Sequence, residues 1–452
     1  MQTKISQEFI AQMQRILPNE CDSLVDALQN TDPSVSVRIN PCKGAEFEGE
    51  QVPWCEYGRY LAERPAFIFD PLLHAGAYYV QDASSMIIHH ILRQFVSGPV
   101  RYLDLCAAPG GKTTAALAAL DDHSLVIANE IIASRAAILR ENVIKWGYPN
   151  AVVCNNTPAD FKAFTNFFDV IAIDAPCSGE GMFRKDETAV SQWSPSLVRQ
   201  CAERQRSIIN DIWHALRPGG LLIYSTCTFN IEENELMLEH TAKNYDATPL
   251  TINTPSDWNI HPSLTDVPAL RFMPHRTRGE GLFVGVLRKN GDAPHSQCSF
   301  KPKKNSTKPA AKPDLKAIAN TLCGDFAFTT SHDAQDIIAY PPEFENEIAM
   351  LRNHLKVTHF GITAATAKGK GFIPAHALAM SRAIRREAFS IIDLDIPTAL
   401  AYLRCEAITL PSTAPRGIVA VAHNSHILGF ANNLGSRANN LYPHPWRILS
   451  RQ

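Results

Sequence analysis

Nowhere in the 452 residues do two cysteines stand as Cys-x-x-Cys, although eleven are scattered along the chain. A zinc ribbon or a redox dithiol is therefore not expected, and no metal is assigned. An excess of charge is missing too: 43 Lys and Arg stand against 45 Asp and Glu, a net charge of -2. That balance does not advertise a nucleic-acid binder, yet a grip on phosphates needs only a local basic surface. No apolar run approaches a membrane span, so no membrane partner is expected. The opening MQTKISQEFIAQMQRIL has polar residues throughout its length and reads as an amphipathic helix, not as a signal peptide. A reducing cytoplasm with free thiols is the expected setting, and most cysteines then read as small core residues.

What is present is ample apolar material, 45% of residues with 19% charged, in a chain long enough for two or three domains. Residues 1–95 read as a small α+β unit. A helix is predicted over Gln7 to Leu17, and strands over Ser34 to Pro41, Phe67 to Pro71 and Ala77 to Asp82. A serine-capped helix follows from Ser84 to Phe95. Residues 96–289 alternate strand and helix, the pattern of an α/β fold with a parallel sheet covered on both faces. The helix opening at Ser194–Pro195 is expected to stop at Gly219 and Gly220. LFVGVLRK (Leu282 to Lys289) is the expected last strand. Residues 290–316, rich in Lys and Pro, read as a mobile tether. Residues 317–452 read as a separate region, helical around Pro342 to Leu355. There GIVAVA and ILGFA form a hairpin about His423-Asn424-Ser425-His426.

YLDLCAAPGGKT (Tyr102 to Thr113) is a strand, a glycine loop and a helix start, a combination that suits close approach of a ligand. A P-loop would need Gly where Cys106 stands, and G-x-G-x-x-G is absent. A methyltransferase would use Cys106, Ala107, Ala108, Pro109, Gly110, Gly111 and Lys112 for the methionine part of S-adenosylmethionine. Glu130, closing SLVIANE, would take the ribose hydroxyls. This reading is preferred.

IAIDAPCSGEG sets Asp174 and Cys177 just past one strand, and YSTCTFNIEENE sets Cys227 just past another. Either cysteine alone would read as core filler. Strand ends in open α/β sheets carry the ligand, so the two should meet at the cofactor's rim. Carbon 5 of cytosine is too electron-poor to attack a sulfonium methyl. A thiolate adding at carbon 6 makes carbon 5 nucleophilic, a carboxyl group near ring nitrogen 3 stabilises charge, and a base removes the carbon 5 proton.

CAAPGGK, DAPCSGEG and YSTCTFNIEENE resemble the signature segments of the Nol1/Nop2/Sun RNA cytosine-5 methyltransferases. SVRINP and YYVQDASSM resemble that family's N-terminal RNA-contacting part, and RFMPHRTRGEGLFVGVLRK its last core motif. The NNLYPHPWRI ending is similar to the PUA-like extension of the bacterial RsmF branch, which modifies one cytosine of small-subunit ribosomal RNA. The resemblance implies a Rossmann-like core binding S-adenosylmethionine, an N-terminal RNA-contacting region, a C-terminal PUA-like β-rich domain, and RNA as partner, with a monomer expected. It makes Cys227 the nucleophile and Cys177 the residue aiding release. Asp174 contacts base and cofactor, with Lys112 holding it. The family commonly carries an Asp near adenine after the third strand; here CNNTPADF offers Asn156 or Thr157. Arg184, Lys185, His275, Arg276 and Arg278 are candidates to hold the RNA strand or are solvated surface charges. The alternatives are a transfer-RNA enzyme, a DNA enzyme attacking through Cys177, an NTPase, and a non-catalytic ribosome-assembly factor.

Overall fold

The computed structural model describes residues 5–291, 314–368 and 371–450. Its centre is a mixed sheet of ten strands. Leu216–Thr226, Phe168–Asp174, Arg101–Asp104, Leu125–Asn129 and Ala151–Cys154 lie side by side and parallel. Every residue of Leu125–Asn129 and Ala151–Cys154 is buried, as expected for strands with helices on both faces. Beyond Leu216–Thr226 the sheet continues antiparallel through Leu282–Lys289, Leu270–Phe272 and His261–Pro262, with Ala247–Leu250 also on Leu282–Lys289. At the other end Val357–Phe360 adds antiparallel to Ala151–Cys154.

The chain lays down Arg101–Asp104 first and steps outward to Ala151–Cys154. It then returns to the opposite flank as Phe168–Asp174. Strand order therefore reverses between Arg101–Asp104 and Phe168–Asp174, the place in an open α/β sheet where ligands bind past the strand ends. Helices Gly111–Ala119, Ala133–Trp146 and Pro195–Ile212 cover the sheet. Ser194 caps the last of these, its hydroxyl accepting from the Leu197 N–H at 3.2 Å.

Two elements differ from expectation. The helix from Pro195 ends at Ile212, and Gly219 and Gly220 lie inside the strand Leu216–Thr226. The pairing with Phe168–Asp174 shifts register there, and a Cβ on Gly220 would stand 2.8 Å from the Arg217 carbonyl and 2.9 Å from that of Asp169. The glycines serve a bulge, not a helix stop. FIFDP is not a strand but a 3-10 turn, Phe67–Phe69, leading into the helix Pro71–His74. Asp70 accepts from the Leu72 N–H at 2.9 Å, and Pro71 fits the first helical position.

The N-terminal unit sets Val35–Ile39 between Gly58–Leu61 and Tyr78–Val80. The C-terminal region contains two four-stranded sheets. One holds Ala327–Thr330, Asp336–Tyr340, Ile362–Lys368 and Gly371–Pro374. The other holds Ile391–Asp393, Gly417–His423, His426–Asn433 and Ala438–Asn440. Gly417–His423 and His426–Asn433 form the expected hairpin, and Glu345–His354 the expected helix. Most of the lysine-rich stretch lies outside the described residues. Its end does not: Asp314 caps the helix Leu315–Ala319. No helix among the described residues is long and apolar enough to cross a membrane.

Candidate active site

The loop after Arg101–Asp104 lies beside the switch point. Gly110 caps the helix Gly111–Ala119 at φ +114, a left-handed conformation natural to glycine. The loop is held from two sides. Arg135 donates to the Ala108 carbonyl at 2.9 Å and Asn142 to that of Pro109 at 2.8 Å. From the N-terminal unit, the fully buried Arg38 donates to the carbonyls of Gly111 (3.3 Å) and Thr114 (3.2 Å). It also reaches the Thr114 hydroxyl at 2.5 Å. Asp104, at the strand's end, is buried and accepts from the Thr113 hydroxyl at 2.6 Å. Burial pushes its carboxyl up to about 7, although the Thr113 bond opposes this.

Glu130 ends Leu125–Asn129 as a buried carboxylate, accepting from the Ile132 N–H at 2.9 Å with Arg135 at 3.4 Å. Its neighbour Ile131 is 57% exposed. The Asn156 side chain is engaged with the backbone of Lys356. Its side-chain amide oxygen accepts from the Lys356 N–H at 3.0 Å, while Lys356 Nζ donates to Asn155 at 2.9 Å. Thr157 and Asp160 form a capping box with each other.

Phe168–Asp174 and Leu216–Thr226 pair with Asp174 opposite Ser225, so the loops leaving them emerge at one level. Asp174 accepts from Lys112 Nζ at 2.8 Å and from the Ser225 hydroxyl at 2.9 Å. Burial lowers the affinity of Lys112 for its proton, but the charge and hydrogen bond of Asp174, with the Cys227 and Asp104 charges, together raise it. The lysine of the glycine loop is thus occupied by a carboxylate. The Cys177 and Cys227 sulfurs stand 3.3 Å apart, well beyond a disulfide bond, as two free half-buried thiols. Contact with Cys227, then burial, holds the Cys177 thiol well above the usual range.

Two glutamates join the cysteine loops. Glu180 is fully buried and accepts from the N–H groups of Phe229 (2.6 Å) and Asn230 (2.9 Å) and from the Trp193 indole (2.9 Å). Glu233 accepts from the Ser178 N–H at 3.0 Å, from Asn230 at 2.8 Å and from Gln205 at 2.8 Å. Neither glutamate was singled out from sequence. The available signal is their place inside DAPCSGEG and YSTCTFNIEENE, the two segments that carry the cysteines.

The basic residues expected at the RNA are tied internally. Arg184 donates to Glu280 at 3.0 Å and Thr31 at 3.0 Å, and Lys185 lies 3.2 Å from Glu280. His275 and Arg276 pair with Glu20, and Arg278 with Glu50. All but Lys185 join the core to the N-terminal unit. Likewise Arg38 and Asn40 of SVRINP are buried, not presented to a ligand.

Residues 98–288 match the family model of the 16S rRNA methyltransferase RsmB/F. Residues 5–83 match that of the N-terminal domain of 16S rRNA methyltransferase RsmF, and residues 389–448 its PUA domain. The chain is 30% identical to ribosomal RNA small subunit methyltransferase F of Vibrio atlanticus, covering 97% of each. It is 32% identical to the protein of that name from Salmonella heidelberg, covering 96% of this chain and 95% of the other. Among solved structures, NSun6 from Pyrococcus horikoshii with SFG shares the fold at TM-score 0.56. The identity is 18% over 65% of this chain and 100% of that one. PH0851 does so at TM-score 0.57 and 21% identity, over 63% of this chain and 66% of that one.

Proposed function

The chain belongs to the RsmB/F family of 16S rRNA methyltransferases, in its RsmF branch, and from that premise we propose that it methylates carbon 5 of a cytosine in small-subunit ribosomal RNA with S-adenosylmethionine as donor. The cytoplasm, where that RNA is found, is the proposed setting. We assign 1–95 and 317–452 to handling RNA and 96–289 to the chemistry.

The residues present fit the donor. A glycine-built helix start at Gly110, the Glu130 carboxylate one strand over and the exposed Ile131 offer backbone donors, a ribose acceptor and an apolar face. Cys106 to Lys112, Glu130 and Asp174 would hold it, with Asn156 bordering the adenine end. When bound, the donor supplies an electrophilic methyl group.

The remaining work falls to the chain. Cys227 as thiolate adds to carbon 6, which makes carbon 5 an enamine carbon able to take the methyl. Ring nitrogen 3 takes a proton as the thiolate adds, which neutralises the charge on the pyrimidine, and Asp174, fixed by Lys112 and Ser225, would accept from that N–H. A base then removes the carbon 5 proton. That C–H pair re-forms the ring double bond, and the bond to carbon 6 breaks with its electrons returning to the Cys227 sulfur. Cys177, held as a thiol, donates a hydrogen bond to that departing sulfur. Carbon 6 is unreachable in a stacked helix, so the cytosine is presented unstacked.

The observation that carries this reading is the 3.3 Å contact between two thiols on adjacent strand ends. In the test, Cys227→Ala abolishes methylation of small-subunit RNA and Cys177→Ala accumulates a covalent protein–RNA adduct. Bisulfite sequencing of ribosomal RNA from cells with and without the protein then names the cytosine. Full activity in Cys227→Ala sinks the assignment.

A further inference from the structure

Two carboxylates are buried beside the cysteine pair, and one is joined to both flanks of Cys177. Gln205, in the helix Pro195–Ile212, donates through Nε2 to the Pro176 carbonyl at 3.0 Å and to Glu233 at 2.8 Å. Glu233 in turn accepts from the Ser178 N–H at 3.0 Å. Pro176 and Ser178 are the residues immediately before and after Cys177. Both peptide neighbours of that cysteine are therefore tied to the Gln205–Glu233 pair.

The donors around Glu233 select its chemical form. Ser178 N–H and Gln205 meet one oxygen, and Asn230 meets the other. Donors at both oxygens favour the ionised carboxylate, which carries no proton to turn towards them. Burial first, and then the Glu180 charge, raise the proton affinity of Glu233 overall, and the Ser178, Asn230 and Gln205 bonds oppose them. Its own backbone is pinned: the Tyr224 hydroxyl donates to its carbonyl at 2.7 Å and its N–H to Asn230 at 2.9 Å. Glu233 and Gln205 are fixed parts of the scaffold and not side chains borrowed by a mobile loop.

We infer that Glu233, with Gln205, is a positioning residue for Cys177. It holds that sulfur against Cys227 and keeps it a thiol, so that the hydrogen bond to the departing Cys227 sulfur is available when product is released. Contact with Cys227 and burial raise the proton affinity of the Cys177 thiol first, and the charge of Glu233 adds to them. The inference rests on the release role proposed above for Cys177.

Two measurements on the full chain separate the two ideas. In the resting protein, alkylation of Cys177 by iodoacetamide is followed by mass spectrometry across pH. Glu233→Gln is expected to speed it by about threefold at neutral pH, because a negative charge beside the thiol is removed. With small ribosomal subunits from cells lacking the protein, Glu233→Gln is expected to accumulate covalent adduct and lower kcat by about tenfold. KM for both substrates should stay within about twofold, because uniform binding is untouched. Gln205→Ala, which keeps the charge and removes the Pro176 tie, should accumulate adduct with little change in the alkylation profile. It also carries the test if Glu233→Gln does not fold. An unchanged Cys177 alkylation profile in folded Glu233→Gln, or no adduct in either variant, overturns the inference. Absence of adduct in Cys177→Ala overturns the release role instead, and the alkylation arm still reports on Glu233.

Discussion

Replacing Arg38 by Met would remove the strut between the N-terminal unit and the cofactor loop. The guanidinium makes four hydrogen bonds: to Gln81 (2.7 Å), to the carbonyls of Thr114 and Gly111, and to the Thr114 hydroxyl. It also lies 4.4 Å from the centre of the Trp146 ring. At about 1 kcal/mol each, the bonds contribute about 4 kcal/mol, and the stacking adds about 1 kcal/mol. Against this, Met needs no desolvation of a charge and buries apolar surface, returning about 2 kcal/mol. The net loss is about 3 kcal/mol. It should appear as a lower urea midpoint with an unchanged slope. Gly111 and Thr114 form the first turn of the helix behind the glycine loop, so affinity for S-adenosylmethionine, read by calorimetry, should fall about tenfold. A variant that loses under about 1 kcal/mol and binds the donor like the parent would refute the strut.

Two further outcomes follow from the same kind of reasoning. His74 and His359 are held near 4 and His376 near 3, all by burial first, against 6.5 when unfolded. The unfolded chain therefore binds more protons as pH falls below 6.5. Stability is full above that value and is lost towards pH 4, at up to about 1.4 kcal/mol per pH unit for each histidine. Urea midpoints that are flat between pH 7 and 5 would contradict this. Lys356→Ala removes the bond to Asn155, whose side-chain amide donates to the carbonyls of Glu130 and Ile131. An exposed bond of this kind is worth about 0.5 kcal/mol, so KM for the donor should rise about twofold with KM for RNA unchanged.

The glycine loop, Glu130 and the two cysteine loops were legible in sequence because glycines, strand-end acids and Pro-Cys or Thr-Cys pairs are local signals. Lys112 on Asp174 followed from the resemblance. What stayed hidden depends on burial or on distant pairing. Glu180 and Glu233 look like ordinary loop acids until their surroundings are known. Arg184 and Arg276 look like free cations until Glu280 and Glu20 reach them from elsewhere in the chain. Gly219–Gly220 signals a chain reversal or a bulge equally well, and only the register against Phe168–Asp174 decides. Val357–Phe360 is four residues without alternation, and nothing local says that it joins a sheet begun 250 residues earlier.

That strand also sets an order of events during synthesis. Ala151–Cys154 is made about 200 residues before its outer neighbour, so until Val357–Phe360 leaves the ribosome its hydrogen-bonding groups face solvent as an open edge. A chain cut after Lys289 would keep every residue of the proposed chemistry and still carry that edge, free to pair with a second copy. In the finished protein the new outer strand is short and irregular, its pairing shifting between Val357 and His359, which makes it a poor template for further strands. The C-terminal half thus acts on its own core as a cover against self-association before it acts on any RNA.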